Sequence, residues 1–299
     1  MEHSKESPKL AFLETPESLL QLSGSEIETI LHRVLPLLEA EPCFLTISGS
    51  VAFVGETHGD FMTTAAILRR FIDVDRLVFL GDFIDREPQS GGSLENILSL
   101  LLAKLQYPEK IILLKGNHEA NAIIPCFPCQ FEHDLLQRFG SPRLPDVFRE
   151  VFAALPLMVL GHRIFGAHGG FLADADVRVL QAAQKNDREI LEDILWNDPV
   201  MSMTSRGVGR LFTKDELLGF LDRIGATVFL RGHDYQRLGE SIYDDRCLTL
   251  FSARQYQMMG NTGVLVAGTS RDVAHASDLQ VQDLSSGEWK PYLIHVVED

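Results

Sequence analysis

The chain has 299 residues, 27 of them basic and 42 acidic for a net charge of −15, and 45% of it is apolar. That length can build a large core in one or two domains, whereas the acidic balance disfavours a general nucleic-acid binder, which needs a basic face. No apolar stretch approaches the roughly 18 uncharged residues of a membrane span, and the polar start Met1–Pro8 lacks a signal-peptide core, so the expectation is a cytoplasmic protein with no membrane partner.

Residues 1–16 are polar and are expected to be flexible, with a single domain over 17–299. Ser23 followed by Glu26 is a capping-box pattern. Ile27, Ile30, Leu31, Val34 and Leu38 recur at helical spacing. They predict a helix over 24–40, bent or ended near Pro36. Val51–Val54 reads as a strand, followed by the loop Gly55-Glu-Thr-His-Gly59 and a helix from Asp60 to about Phe71. Leu77–Leu80 is a second strand, followed by the Asp82 loop and a helix through Leu94, Ile97, Leu98, Leu101, Leu102 and Leu105. Ile111–Leu114 is a third, followed by Gly116-Asn-His-Glu119. Strand–loop–helix repetition predicts an α/β domain with a partly parallel sheet. Ligands of such sheets sit beyond the carboxyl ends of the strands, where these motifs fall.

Residues 120–150, with Pro125, Pro128, Pro142 and Pro145, predict a helix-and-loop segment. From Val159 onward, short β runs at Arg163–Ala167, Thr227–Leu230, Thr249–Phe251, Val264–Val266 and Tyr292–Val297 predict a second sheet, read as antiparallel, packed on the first. The four cysteines are too few for a disulfide scaffold. Cys126 and Cys129 have CxxC spacing. Without a second Cys or His pair they read as ordinary loop or buried cysteines ahead of metal or redox groups.

Glu56, His58, Asp82, Asn117, His168 and His233 each follow an apolar run. Together they offer three imidazoles, two carboxylates and an amide oxygen. Such a set suits two borderline or hard divalent ions, manganese first, iron or zinc as alternatives. A carboxylate such as Asp82 can bridge two ions. Ions about 3.5–4 Å apart clamp both oxygens of an in-line displacement, and they lower the pKa of water so that a bridging hydroxide would attack. His118 is a candidate general acid, and Asp85 could hold its tautomer and favour its protonated form. Arg86 and Arg206 are phosphate forks; Arg231, two residues from a ligand, could equally be structural and ranks below them. His133, His162, His275 and His295 sit in no comparable motif and take the bland reading.

In this order, from about residue 41 to 257, the motifs resemble those of the phosphoprotein phosphatase family of serine/threonine protein phosphatases, in the metallophosphoesterase superfamily. The family pattern GDxHG, GDxVDRG, GNHE, HGG, W-[S/N]-D-P, RGxG, R-[A/G]-H and SAxxY is matched by GETHG, GDFIDRE, GNHE, HGG, Trp196–Pro199, Arg206–Gly209, Arg231–His233 and Ser252–Tyr256. The resemblance implies an α/β calcineurin-like fold, a central β-sandwich flanked by helices with a dinuclear site at its rim. It implies one ion on Glu56, His58 and Asp82, and the other on Asp82, Asn117, His168 and His233. His118 and Asp85 become the acid pair, Arg86 and Arg206 the phosphate clamp, and Tyr256 a residue of the mouth. The implied activity is hydrolysis of phosphoserine or phosphothreonine in a phosphorylated protein or peptide.

Three departures stand out. Glu56 replaces the usual Asp and is one methylene longer, which suggests a weaker or differently selective first ion site. Glu87 replaces a glycine, where it would disfavour acidic substrates or point to solvent. Arg254 and Gln255 replace the usual Pro-Asn, so nothing carries over about inhibitors or regulatory partners. The nearest enzymatic rival is a dinucleoside tetraphosphatase or another small-molecule phosphoesterase; Arg206 and Tyr256 favour the protein phosphatase. A rival of another class is a phosphate-binding scaffold impaired by Glu56, against which stand His118, Asp85 and the other ligands.

Overall fold

The computed structural model describes residues 10, 13, 17–88, 92–202, 206–259 and 263–298. Its helices are α1 (Glu17–Leu20), α2 (Gly24–Ala40), α3 (Phe61–Phe71), α4 (Gly92–Gln106), α5 (Phe131–Phe139), α6 (Arg143–Ala154), α7 (Val177–Ala182), α8 (Arg188–Trp196) and α9 (Lys214–Ile224). Its strands are β1 (Phe44–Thr46), β2 (Val51–Val54), β3 (Arg76–Phe79), β4 (Ile111–Leu113), β5 (Met158–Gly161), β6 (Ile164–Ala167), β7 (Asp198–Pro199), β8 (Leu211–Phe212), β9 (Val228–Arg231), β10 (Glu240–Ile242), β11 (Cys247–Thr249), β12 (Leu265–Thr269), β13 (Gln280–Asp283), β14 (Lys290–Tyr292) and β15 (His295–Val296).

The capping box forms at Ser23 and Glu26 and starts α2 where the pattern places it. The helix neither ends nor breaks at Pro36. It runs on to Ala40, because Val34 and Leu38 are buried against the core and their packing outweighs the lost backbone hydrogen bond. Asp60 caps α3 by accepting from the Thr63 N–H. Leu10 and Leu13 are buried in the same cluster as α2; the rest of the expected flexible segment 1–16 lies outside the described residues.

Two sheets stack face to face. The first has the order β14-β13-β12-β2-β3-β4 and the second β1-β5-β6-β9-β11-β10-β15. Alternation along each strand separates two interiors. On β2, Val51 and Phe53 face the second sheet with Val78, Val159, Ile164, Val228, Leu230 and Leu248. Ala52 and Val54 face the outer layer, where α2, α3, α4 and α6 contribute Leu31, Leu68, Leu101 and Val151. On the far side, α8 and α9 lay Leu195, Phe220 and Leu221 over Phe165 and Phe229. The central strands are therefore buried on both faces, which is why they read as continuous apolar runs.

The expectation of an antiparallel second half needs correction. β5 pairs antiparallel with β6, and β10 with β11, but β1–β5, β6–β9, β9–β11 and β10–β15 are parallel. The run near Val264 belongs to the first sheet, where β12 lies antiparallel to β2. Helices α7, α8 and α9 and the loops between β6 and β9 carry the chain across, as parallel pairing demands. The consequence is functional: β2, β3 and β4 in one sheet and β6, β9 and β11 in the other each run parallel. Phe53 is fully buried between the sheets. Phe53→Ala is expected to cost about 3–5 kcal/mol, read as a lowered urea midpoint with an unchanged slope.

Candidate active site

The motif residues leave the strands on one rim. Glu56 and His58 follow β2; Asp82, Asp85 and Arg86 follow β3; Asn117 and His118 follow β4. From the second sheet come His168 after β6, Arg231 at the end of β9 and His233 just beyond it. Arg206 lies between β7 and β8, and Tyr256 in the 3-10 turn Arg254–Met259 after β11. The loops turn sharply to aim these side chains inward. His58, Asp82, Asp85, Arg86 and His233 all have left-handed φ, at 39°, 56°, 63°, 55° and 70°. Each such residue costs of order 1–3 kcal/mol and persists only where its surroundings over-determine it. Gly81, at φ 98°, approaches the Gly116 backbone, and Gly116 in turn approaches Asp82, so closely that neither position has room for a side chain.

All six expected ligands come together, buried. Asp82 is central: its Oδ2 lies 3.5 Å from His58 Nε2 and 3.5 Å from His168 Nε2. Glu56 Oε2 is 2.9 Å from His58 Nε2 on one side. Asn117 Oδ1 is 2.9 Å from His168 Nε2 and 3.1 Å from His233 Nδ1 on the other. Glu56 is less one-sided than its motif position implies. Its extra methylene carries Oε1 across to accept from the His233 backbone N–H and to within 4.0 Å of His168 Nε2. It therefore touches both halves of the cluster.

Burial opposes ionisation of Asp82, yet the imidazoles of His168, His118 and His58 hold its carboxyl well below the usual range. Burial, helped by Arg206 and His168, pushes the His233 imidazole far down, so it stays neutral and able to ligate. His233 Nε2 and His118 Nε2 are buried and have no hydrogen-bond partner among the described residues. Two carboxylates, three neutral-capable imidazoles and an amide oxygen, packed dry with orphaned nitrogens, fit divalent cations. Hydrogen bonds to backbone carbonyls orient two of these imidazoles: His58 Nδ1 to Ile84 O at 2.9 Å and His168 Nδ1 to Leu80 O at 3.0 Å.

His118 Nδ1 meets Asp85 Oδ2 at 2.7 Å, which turns Nε2 toward the cluster, 3.9 Å from Asp82 Oδ2. The expectation that Asp85 favours protonated His118 meets a stronger opposing effect. Burial pushes the imidazole below its ordinary value despite Asp82 and Asp85. Arg86 is exposed at the mouth, its Nη1 3.4 Å from the Tyr256 hydroxyl. Arg206 is half-buried; its Nε donates to Asp198 Oδ2 at 2.6 Å and its Nη2 to the His233 carbonyl at 2.9 Å. Arg231 is wholly buried. It donates to the Gly169 carbonyl and to Asp198 Oδ1, both at 2.6 Å, which places it as a brace beneath the site rather than a fork open to substrate. His133, His162, His275 and His295 lie outside the cluster.

The residues around this cluster were less visible in the sequence. Glu119 accepts from the N–H groups of Asp82 (2.8 Å), Phe83 (2.8 Å) and Gly116 (2.9 Å), tying the loops after β3 and β4 together. Burial and the Asp82 charge push its carboxyl up to about 8, against the three donors that favour the ionised form. Asp198, inside the Trp196–Pro199 motif, holds both Arg206 and Arg231. Glu87 is half-buried and accepts from the Ser93 hydroxyl at 2.8 Å. Arg254 pairs with Asp60 at 2.7 Å, and Gln255 Nε2 donates to the carbonyls of His58 and Arg86 at 3.0 and 3.2 Å. Thus the two replacements in the Ser252–Tyr256 loop bind it to the first two motif loops. Cys126 and Cys129, read as ordinary cysteines, are joined by a disulfide.

A sandwich whose rim gathers candidate metal-ligating groups from both sheets fits a metal-dependent phosphoesterase. The chain matches the calcineurin-like phosphoesterase family over residues 49–237, and it belongs to that family, in its serine/threonine-protein phosphatase branch. It is 31% identical over 233 residues to the serine/threonine-protein phosphatase 4 catalytic subunit of Eremothecium gossypii, covering 74% of each chain. It is also 31% identical over 223 residues to a probable serine/threonine-protein phosphatase of Encephalitozoon cuniculi, where it spans 70% of its own length and 48% of the relative's. Among solved structures, a Saccharomyces cerevisiae serine/threonine phosphatase with similarity to human phosphatase PP5 superposes with a TM-score of 0.71 at 24% identity, over 83% and 82% of the two chains. A cold-active protein-tyrosine phosphatase of a Shewanella species shares the fold with a TM-score of 0.62 at 15% identity, over 86% and 84%.

Above about pH 8, where the Glu119 carboxyl is ionised, Glu119→Gln trades an acceptor for an N–H facing backbone donors. The variant is expected to lose about 1–3 kcal/mol of stability and to take up less metal, measured by urea unfolding and by elemental analysis after dialysis.

Proposed function

We propose that this protein hydrolyses phosphomonoesters, with phosphoserine or phosphothreonine in a protein or peptide as substrate. The observation that carries the proposal is Asp82, equidistant from His58 and His168, with an acid pair and an arginine at the same rim. The relatives named above support the substrate class. Glu56, His58 and Asp82 would hold one divalent ion and Asp82, Asn117, His168 and His233 the other, manganese being the first candidate; Glu56 adds reach toward the second. When bound, such ions lower the pKa of water and draw charge from the phosphoryl oxygens.

The rest falls to the chain's own side chains. Arg86, exposed at the mouth, and Arg206, braced by Asp198, offer guanidinium N–H groups to the phosphoryl oxygens and stabilise the charge that grows there. Tyr256 beside Arg86 limits how that guanidinium swings. His118 Nε2 hands its proton to the departing seryl or threonyl oxygen, while Asp85 holds the Nδ1–H and so fixes the ring. An incoming phosphate dianion adds negative charge that offsets the burial disfavouring the protonated imidazole.

His118→Asn is expected to keep metal content unchanged and to lower kcat by roughly 10²–10⁴ on a phosphoserine peptide, and by less on p-nitrophenyl phosphate, whose leaving group needs little protonation. Asp82→Asn should instead empty the site. Full metal and full rate in both variants would refute the assigned roles. Glu56→Asp is expected to raise metal retention at limiting manganese. Elemental analysis with kcat in parallel tests this, and identical values in the two proteins would remove any special role for the longer side chain.

A further inference from the structure

The CxxC disulfide lies against the acid pair. We propose that Cys126–Cys129 is a thiol–disulfide exchange site that takes a dithiol reductant and, on opening, weakens the hold of Asp85 on His118. The proposal deepens the phosphatase reading and rests on it for its effect on rate.

Three sets of contacts place the sulfurs there. Cys129 Sγ lies 3.6 Å from His118 Nδ1, the nitrogen that meets Asp85 Oδ2 at 2.7 Å. The two residues after Cys129 hold the other carboxylate oxygen: the N–H groups of Gln130 and Phe131 donate to Asp85 Oδ1 at 2.7 and 2.8 Å. At the other end of the bridge, the Cys126 N–H donates to Asn121 Oδ1 at 2.9 Å, in the segment that continues from His118. The disulfide thus closes a short span between the chain leaving His118 and the chain grasping Asp85.

The bridge is also reachable. Both sulfur-bearing residues are half-buried, and Phe127 between them is 93% exposed. The other two cysteines cannot serve. Cys43 and Cys247 are buried and apart from the bridge, and burial pushes their thiols up to about 11 and about 12, far from the thiolate form that exchanges.

The exchange balances with a dithiol alone. One thiolate of the reductant attacks Cys126 Sγ, the S–S bond breaks, and Cys129 leaves as a thiolate beside the Nδ1–H of His118. The second thiol of the reductant then attacks its own mixed-disulfide sulfur and releases Cys126. Two electrons and two protons pass to the protein, and the reductant departs as a cyclic disulfide. In the open form Cys129 competes with Asp85 for the Nδ1–H. A cavity of about 270 Å³ lined by Asp85, His118, Cys129 and Phe131 gives the freed side chain room to turn.

The test uses the full metal-loaded chain, poised in mixtures of reduced and oxidised dithiothreitol with manganese in excess. Alkylation and mass measurement count the Cys126 and Cys129 thiols, and kcat is read on a phosphoserine peptide and on p-nitrophenyl phosphate. Opening the bridge is expected to lower kcat on the peptide by roughly tenfold, a fraction of the 10²–10⁴ that a general acid supplies, by less on the aryl ester, and reversibly. C126S should be slow in every mixture, because it leaves Cys129 free beside His118; the double variant C126S/C129S should ignore the redox mixture. In magnesium-loaded protein the His118 Nδ1–H resonance should shift as the bridge opens. If two thiols form while neither the rate nor that resonance changes, the proposal is overturned, as it is if the double variant stays redox-sensitive. A protein without phosphatase activity in either state would refute the proposed function, and the resonance and thiol count would still decide whether the bridge acts on His118.

Discussion

One buried carboxylate sets the terms for this molecule. Asp82 sits dry between imidazoles from two different sheets, and a lone ionised carboxylate in such a place would be prohibitively costly. The fold surrounds it with His58, His118 and His168 and with the His118 backbone N–H, which donates to Oδ1 at 3.0 Å. Two parallel strand sets ending at one rim are what bring imidazoles from both sheets within reach of a single oxygen.

Around that point the structure accepts local strain and holds it with polar bracing. The left-handed residues His58, Asp82, Asp85, Arg86 and His233 are each unfavourable alone. Glu119 clamps the loops of the first sheet through backbone N–H groups, and Asp198 does the equivalent for the second through Arg206 and Arg231. Asp60 with Arg254, and Gln255 with two loop carbonyls, close the remaining side. Each brace is a carboxylate or amide that hydrogen-bonds across two segments in a buried or half-buried setting, where an unmatched partner costs most.

Much of this was legible in the chain. Buried parallel strands betray themselves as short apolar runs, and a candidate ligand one to four residues past each run needs no long-range information to be suspected. Strand direction in the second half was not legible, because short β runs between glycines look alike whether helices or turns connect them. Glu119 was hidden by its neighbours: in Gly116-Asn-His-Glu119 the candidate ligand and candidate acid draw attention, and nothing local says that the last carboxylate turns back to backbone donors. Arg231 was ambiguous for the same reason, and only its burial against Gly169 and Asp198 separates brace from fork. The pairing of Cys126 with Cys129 and its contact with His118 depend on how the loop before α5 folds, which spacing alone does not fix.

The antiparallel pairing of β12 with β2 bears on how the molecule comes into being. β2 leads into Glu56 and His58, yet its neighbour on one side is made only once synthesis has passed Thr269. Until then the strand is an open edge, prone to pair with another nascent chain, and the loop bearing Arg254 and Gln255 has barely emerged to brace the motif loops. The motif loop after β2 is therefore braced on that side only once the chain through β12 and the Ser252–Tyr256 loop is in place.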